Sequence, residues 1–352
     1  MEKIVRELSV LHGPSGFEQP VIRYITSELE SLSDEWSVDH LGNITAIKKG
    51  SRPGPRLILT AHMDEVGFII RSITPDGLIK VESLGGHDIR ILAGQKVRVR
   101  TGTGYLIGVF GGISAHYRKF ESESKLKSVR ESYIDIGARS KKQAIDMGAA
   151  IGDSVTWLSD VTVLGNSDTG RLVGKGFDDR AGCAVLLQVL KDLPDFSGEL
   201  VFIFTVQEEV GLRGAKVAAE GIAADAAIAI DTTAASDTPE SVLDDELHIG
   251  GGVGIKVMDA SLIAHPAIRE KLKTLAVEGG IPYQLEVFPG IGTDGGAVHL
   301  SNKGIPTGVL SIPSRNAHSP IEIIDITDLE AAKDLLTLFI TNEDELLSFT
   351  SF

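Results

Sequence analysis

Hydrophobic positions follow two textures along the chain. Near the start, Ile4, Leu8 and Leu11 recur at helical spacing in MEKIVRELSVL, and GPSG breaks the run. EQPVIRYITSELESL then resumes the helical period. GNITAIKKG and RLILTAHMDEVGFII read as strands, the second nearly all apolar and therefore central in a sheet. From about residue 70 to about residue 163 the β-like runs shorten and turns separate them: GLIKVESL, QKVRVRT and YLIGVFG. A helix-like SKKQAIDMG sits among them, followed by DSVTWLSD. This texture predicts a small β-rich domain or barrel. Beyond it, GKGFDDRAGCAVLLQVLKDL restores the alternation of helix and buried strand. LVFIFTV, AAIAIDTT and IPTGVLSI predict buried strands, and DLEAAKDLLTLFIT predicts an amphipathic helix. The economical reading is one α/β domain, residues 1–69 and 164–352, interrupted by a β-rich insertion over 70–163.

A chain of 352 residues accommodates that arrangement. The formal net charge of −15 argues against nucleic acid, whose phosphates need a basic surface, and leaves no polybasic patch for an anionic membrane. Cys183 is the one cysteine, which excludes an internal disulfide and a thiolate cluster and fits a reducing compartment. No basic segment followed by an apolar core opens the chain, and no apolar run reaches transmembrane length. The expected location is the cytoplasm.

Chemistry gathers at the ends of the predicted strands. LILTAHMDE ends in His62 and Asp64, VFIFTVQEE in Glu208 and Glu209, and AAIAIDTT carries Asp231. GVLSIPSRNAHSP places His318 just past a strand. In open α/β sheets, ligands bind outside the carboxyl ends of the strands, so parallel strands would bring these tips to one rim. GKGFDDRAG adds Asp178 and Asp179 before a helix, with Gly174 and Gly176 permitting close backbone approach. Imidazole plus carboxylate without thiolate suits Zn²⁺, Co²⁺ or Mn²⁺. Asp64, two residues from His62, is placed to orient it. One of the paired glutamates is a candidate ligand and the other a candidate proton acceptor. Alone, each piece has a plainer reading: a solvated strand exit, a turn aspartate, or first-turn acids at a helix. Their coincidence at four strand tips favours a site. HIGGGVGIKV lacks a P-loop's Lys-Ser/Thr and reads as a tight turn, and Cys183 as a small core residue. GTDGGAVH, with Thr293 and Asp294, reads either as a pocket lining or as a plain turn.

Taken in order, AHMDEVG, GKGFDDRAG, FTVQEEVGLRGA, AIDTT, MDASLIAHP and HSPIE resemble the M42 family of di-metal aminopeptidases over nearly the whole chain. The resemblance implies a mixed-sheet, zinc-exopeptidase-like α/β catalytic domain with an inserted β-barrel-like dimerisation domain. It implies two divalent ions per subunit, zinc or cobalt ahead of manganese. Asp178 would bridge them, His62 and Asp231 would complete one shell, and Glu209 and His318 the other. Glu208 would be the general base and Asp64 would orient His62. Asp179 resembles a residue joined to the bridging aspartate by a cis peptide. Short peptides are the implied substrates, and dimers assembling into a dodecamer the implied oligomer. Members often carry Arg-Tyr-x-His before the last ligand, whereas SRNAHSP has Asn316 there. A related di-metal deacylase or carboxypeptidase remains an alternative, as does, more remotely, an endoglucanase.

Overall fold

The computed structural model describes residues 1–117, 127–166, 169–239, 241 and 247–342. Two helices, α1 (Glu2–Ser9) and α2 (Gln19–Leu32), precede β1 (Glu35–Val38), β2 (Ile44–Lys49) and β3 (Arg52–His62). Six short strands follow: β4 (Gly67–Ile73), β5 (Ile79–Leu84), β6 (Lys96–Thr101), β7 (Gly104–Phe110), β8 (Ile134–Asp135) and β9 (Ser154–Trp157), with α3 (Lys141–Asp146) between the last two. They close into a barrel in the order β4-β5-β8-β7-β6-β9. Next come β10 (Thr162–Val163), β11 (Arg171–Gly174), α4 (Phe177–Asp192), β12 (Ser197–Thr205), α5 (Arg213–Ala218) and β13 (Ala226–Ala234). The remainder is β14 (Val253–Asp259), α6 (Pro266–Gly279), β15 (Tyr283–Phe288), α7 (Gly295–Val298), β16 (Thr307–Ser314), β17 (Glu322–Asp325) and α8 (Ile326–Thr341).

The large sheet runs β1-β2-β12-β3-β13-β16-β14-β15 and is mixed. β12, β3, β13 and β16 are mutually parallel neighbours, while β2 and β14 flank them antiparallel. The α/β reading with a mixed sheet and a small barrel is the fold observed. Side chains of β12 alternate between two cores. Leu200, Phe202 and Phe204 join the core under α1, α2, α4 and α8, and Val201 and Ile203 join the one under α5 and α7. A strand buried on both faces shows no polar alternation, which is why LVFIFTV reads as a continuous apolar run. α4 is likewise apolar around most of its circumference, because it lies between the sheet and α1 and α8.

One predicted strand divides. RLILTAHMDEVGFII is not continuous: β3 ends at His62, and β4 of the barrel begins at Gly67. The joint is held inward. The Met63 N–H donates to the Thr205 carbonyl, the Glu65 N–H to the Gly13 carbonyl, and Ser15 Oγ to Asp64 Oδ2 at 2.6 Å. Lys175 Nζ at 2.8 Å and Arg180 Nη2 at 3.1 Å pair with the buried Glu65 carboxylate beside it. Fifteen apolar-looking residues thus serve two sheets, and the polar pair at their centre marks the change. Among the described residues no helix is long and apolar enough to cross a membrane.

Candidate metal centre

The four parallel strands point their carboxyl ends to one side, so their tips meet. His62 is the last residue of β3, and Asp231 lies within β13. Past β12 the chain turns sharply at Gln207, whose φ is +55°, and presents Glu208 and Glu209. Past β16, Asn316 and His318 adopt φ of +57° and +62°. Left-handed backbone costs an ordinary residue about 1–2 kcal/mol, so other contacts must hold these turns. Asp64 holds the first: its Oδ1 accepts from the Glu208 N–H at 2.9 Å and its Oδ2 from the Glu209 N–H at 3.3 Å. Glu322 holds the second, accepting the His318 N–H at 3.1 Å. Its other oxygen takes the N–H groups of Phe177 (2.6 Å) and Asp178 (3.2 Å).

Each histidine has a defined tautomer. His62 Nδ1 lies 3.1 Å from the Asp64 carbonyl, and His318 Nδ1 lies 3.0 Å from the Gly86 carbonyl. A carbonyl only accepts, so Nδ1 carries a proton, and Nε2 is the atom that an ion would take in place of its own proton. Both Nε2 atoms face Asp178, one to each carboxylate oxygen: His62 to Oδ1 at 3.2 Å and His318 to Oδ2 at 3.2 Å. His62 Nε2 is also 3.6 Å from Asp231 Oδ1 and 3.9 Å from Glu208 Oε2. His318 Nε2 is 3.2 Å from Glu209 Oε1.

These separations fit ligands around a shared ion. Zinc bonds to N and O are about 2.0–2.2 Å long, which sets neighbouring ligand atoms of a tetrahedron roughly 3.3 Å apart. Glu209 Oε1 supports this. It is buried and has no hydrogen-bond partner, although His318 Nε2 is near. At 3.2 Å the two atoms are close but do not form a hydrogen bond. His62, Asp178 and Glu209 can offer ligand atoms within 4.8 Å of one another, and so can His62, Asp179 and Asp231. The Asp179 oxygens, however, already accept from the His62 and Gly182 N–H groups at 3.2 and 3.0 Å. That leaves Asp178 as the freer ligand. The peptide between the two aspartates is cis.

Electrostatics agree with a cation site. Burial would discharge His318, but the Glu209 and Asp178 carboxylates hold its pKa up at about 12. His62 is likewise held well above its ordinary value, against burial, by Glu208, Asp178 and Asp231. Burial raises Glu209 to about 7, and burial with Asp231 and Glu209 as neighbours raises Glu208. So many carboxylates facing one another require positive charge among them.

Of the residues expected from sequence, His62, Asp64, Asp178, Glu208, Glu209, Asp231 and His318 all lie in this cluster. Two contributors were not expected. Glu322 ends the HSPIE motif, and its spacing of four from His318 was the available signal. The Gly86 carbonyl comes from the loop after β5, and nothing in the sequence links it to His318. Asp294 does not line the cavity: it is buried beneath the β12 turn and accepts from Thr205 Oγ1. HIGGG of HIGGGVGIKV is a turn whose Gly250 and Gly252 N–H groups donate to Asp328, and the rest of that stretch begins β14.

The profile of the M42 glutamyl aminopeptidase family matches residues 42–335. The chain belongs to the M42 peptidase family. A putative aminopeptidase from Acetivibrio thermocellus is 39% identical across 96% of this chain and 97% of the relative. The aminopeptidase structure from the archaeon Desulfurococcus kamchatkensis superposes with a TM-score of 0.93 at 38% identity, covering 99% and 97% of the two chains. A TET1 peptidase of Pyrococcus horikoshii, described as assembling into a tetrahedron or a large octahedral shell, gives a TM-score of 0.86 at 31% identity over 97% and 99%. M42 membership makes this chain a hydrolase of the aminopeptidase type, and divalent metal goes with the family.

Proposed function

We propose that the chain removes N-terminal residues from short peptides at a centre of two divalent ions. The observation that carries this is Asp178, whose two oxygens each face a different histidine at 3.2 Å. Asp178 would bridge, His62 and Asp231 would hold one ion, and Glu209 and His318 the other. Zinc, cobalt or manganese suits this set of donors. Bound there, the ions would supply Lewis acidity toward the scissile carbonyl and a water acidified toward neutral pH. The protein groups do the rest. Asp64 fixes the backbone of Glu208 at 2.9 Å and so aims its carboxylate into the cleft. Glu208 would take a proton from the attacking water and return it to the leaving amine. A cleft lined by Asp178, Glu208, Glu209 and Asp231 suits a free α-amino group, which selects exopeptidase action.

The barrel would serve dimerisation. Tyr105, Ile107 and Val109 alternate outward along β7 and are exposed, which gives that strand an apolar outer row. Dimers would assemble further into a dodecamer, as the shell-forming relative suggests. A stable monomer in light scattering would remove this part.

The deciding experiment follows aminoacyl p-nitroanilides with the protein as purified, after chelation, and after adding back each metal. Cleavage should vanish and return. Glu208→Gln should keep the metals and lose about 10²–10⁴-fold in kcat. Blocked substrates cut in preference to free amines would point to the deacylase chemistry instead.

A further inference from the structure

We propose that the pocket receiving the first residue takes an uncharged apolar side chain and refuses an acidic one, despite the glutamyl label of the family profile. This rests on the aminopeptidase reading above. A cavity of about 560 Å³ opens at the metal centre. One side is the ligand cluster itself. Leu212, Ala234, Phe288, Ile291 and Ala317 also line the cavity. Leu212 is placed there by a left-handed backbone (φ +56°) at the start of α5. Phe288 ends β15, and Ile291 follows in the turn between Gly290 and Gly292. A Cβ at Gly290 would stand 2.9 Å from the Phe288 ring, so glycine lets that ring fold against the turn.

Among the described residues, no lysine or arginine lines this cavity. Lys256 acts on the charge of Asp231, yet it cannot serve a substrate. Its side chain is wholly buried and paired with the equally buried Glu286, Nζ to Oε1 at 3.2 Å. Thr233 lines the cavity in front of them and donates its hydroxyl to that same Glu286 oxygen. The second Glu286 oxygen is buried and lies 3.6 Å from the place a Gly254 Cβ would take. An acidic side chain entering here would lose water without gaining a cationic side-chain partner, whereas an aliphatic or aromatic one gains contact with the apolar lining at every added carbon.

The test is a panel of leucyl, methionyl, phenylalanyl, glutamyl and lysyl p-nitroanilides with metal-loaded enzyme, read as kcat/KM. One of the apolar three should lead, with glutamyl about 100-fold or more below it. Glutamyl or lysyl substrate at or above the apolar three would overturn the proposal. Ile291→Lys sharpens it: the glutamyl-to-leucyl ratio should rise by about tenfold or more, since a cation now stands in the wall. An unchanged ratio would remove Ile291 from the pocket and with it this assignment. The ratio is internal to one preparation, so partial misfolding does not blur it. No cleavage of any member under any metal would sink the aminopeptidase reading itself, a result distinct from cleavage with the wrong preference.

Discussion

The two halves of the proposed metal centre are built by different means. His62 and Asp231 stand on adjacent parallel strands, and the His62 side chain is only 2% exposed. Its orienting carbonyl, Asp64, is two residues away on the same segment. His318 stands on a loop past β16, in left-handed backbone, with 33% of its side chain exposed. Its orienting carbonyl is Gly86, in the loop that follows a barrel strand. One half is therefore fixed by the ladder of the sheet. The other is assembled where two parts of the fold meet. Ligands on strands hold geometry more closely than ligands on loops, so the halves should differ in how firmly they keep an ion.

The largest test removes the element the halves share. Asp178→Ala should lose both ions by elemental analysis and drop turnover by on the order of 10³-fold or more, the scale on which groups stabilising transition-state charge act. Retention of one ion would mean that Asp178 does not bridge. Next comes the asymmetry itself. His318→Ala should leave one ion bound, whereas His62→Ala should release more metal, and dialysis of the unmodified protein against graded chelator should show the His318 half emptying first. Simultaneous loss would break the comparison. The smallest expected effect is at Glu322. Glu322→Gln removes a carboxylate that holds the N–H groups of Phe177, Asp178 and His318. Metal affinity should fall about 10–100-fold with little change in Tm. A large loss of Tm with unaltered affinity would make Glu322 purely structural.

The sheet half was the more legible from sequence. Strands buried on both faces announce themselves as apolar runs, and a His or Asp closing such a run stands out. β3, β12, β13 and β16 were all read this way. The division of RLILTAHMDEVGFII was not, because periodicity carries no mark of which sheet a residue joins. The Gly86 contact was invisible for a related reason: the acceptor for His318 Nδ1–H is a backbone carbonyl, and every residue has one. Glu322 lay within a motif, four residues from His318, but its other work is to accept the N–H groups of Phe177 and Asp178, far away in the chain, which depends on tertiary placement and leaves no local pattern. Asp294 stayed open between a pocket lining and a turn because its partner, Thr205, is far away in the chain.

The contact between His318 and Gly86 ties the barrel thermodynamically to the loosely built half of the centre. If seating the barrel against the sheet steadies that ring, filling the centre steadies the seating by the same free energy, since linkage runs equally in both directions. Anything that grips the barrel from outside would then be felt as a change in metal retention at His318, while the His62 half, anchored in its own strand, would register far less.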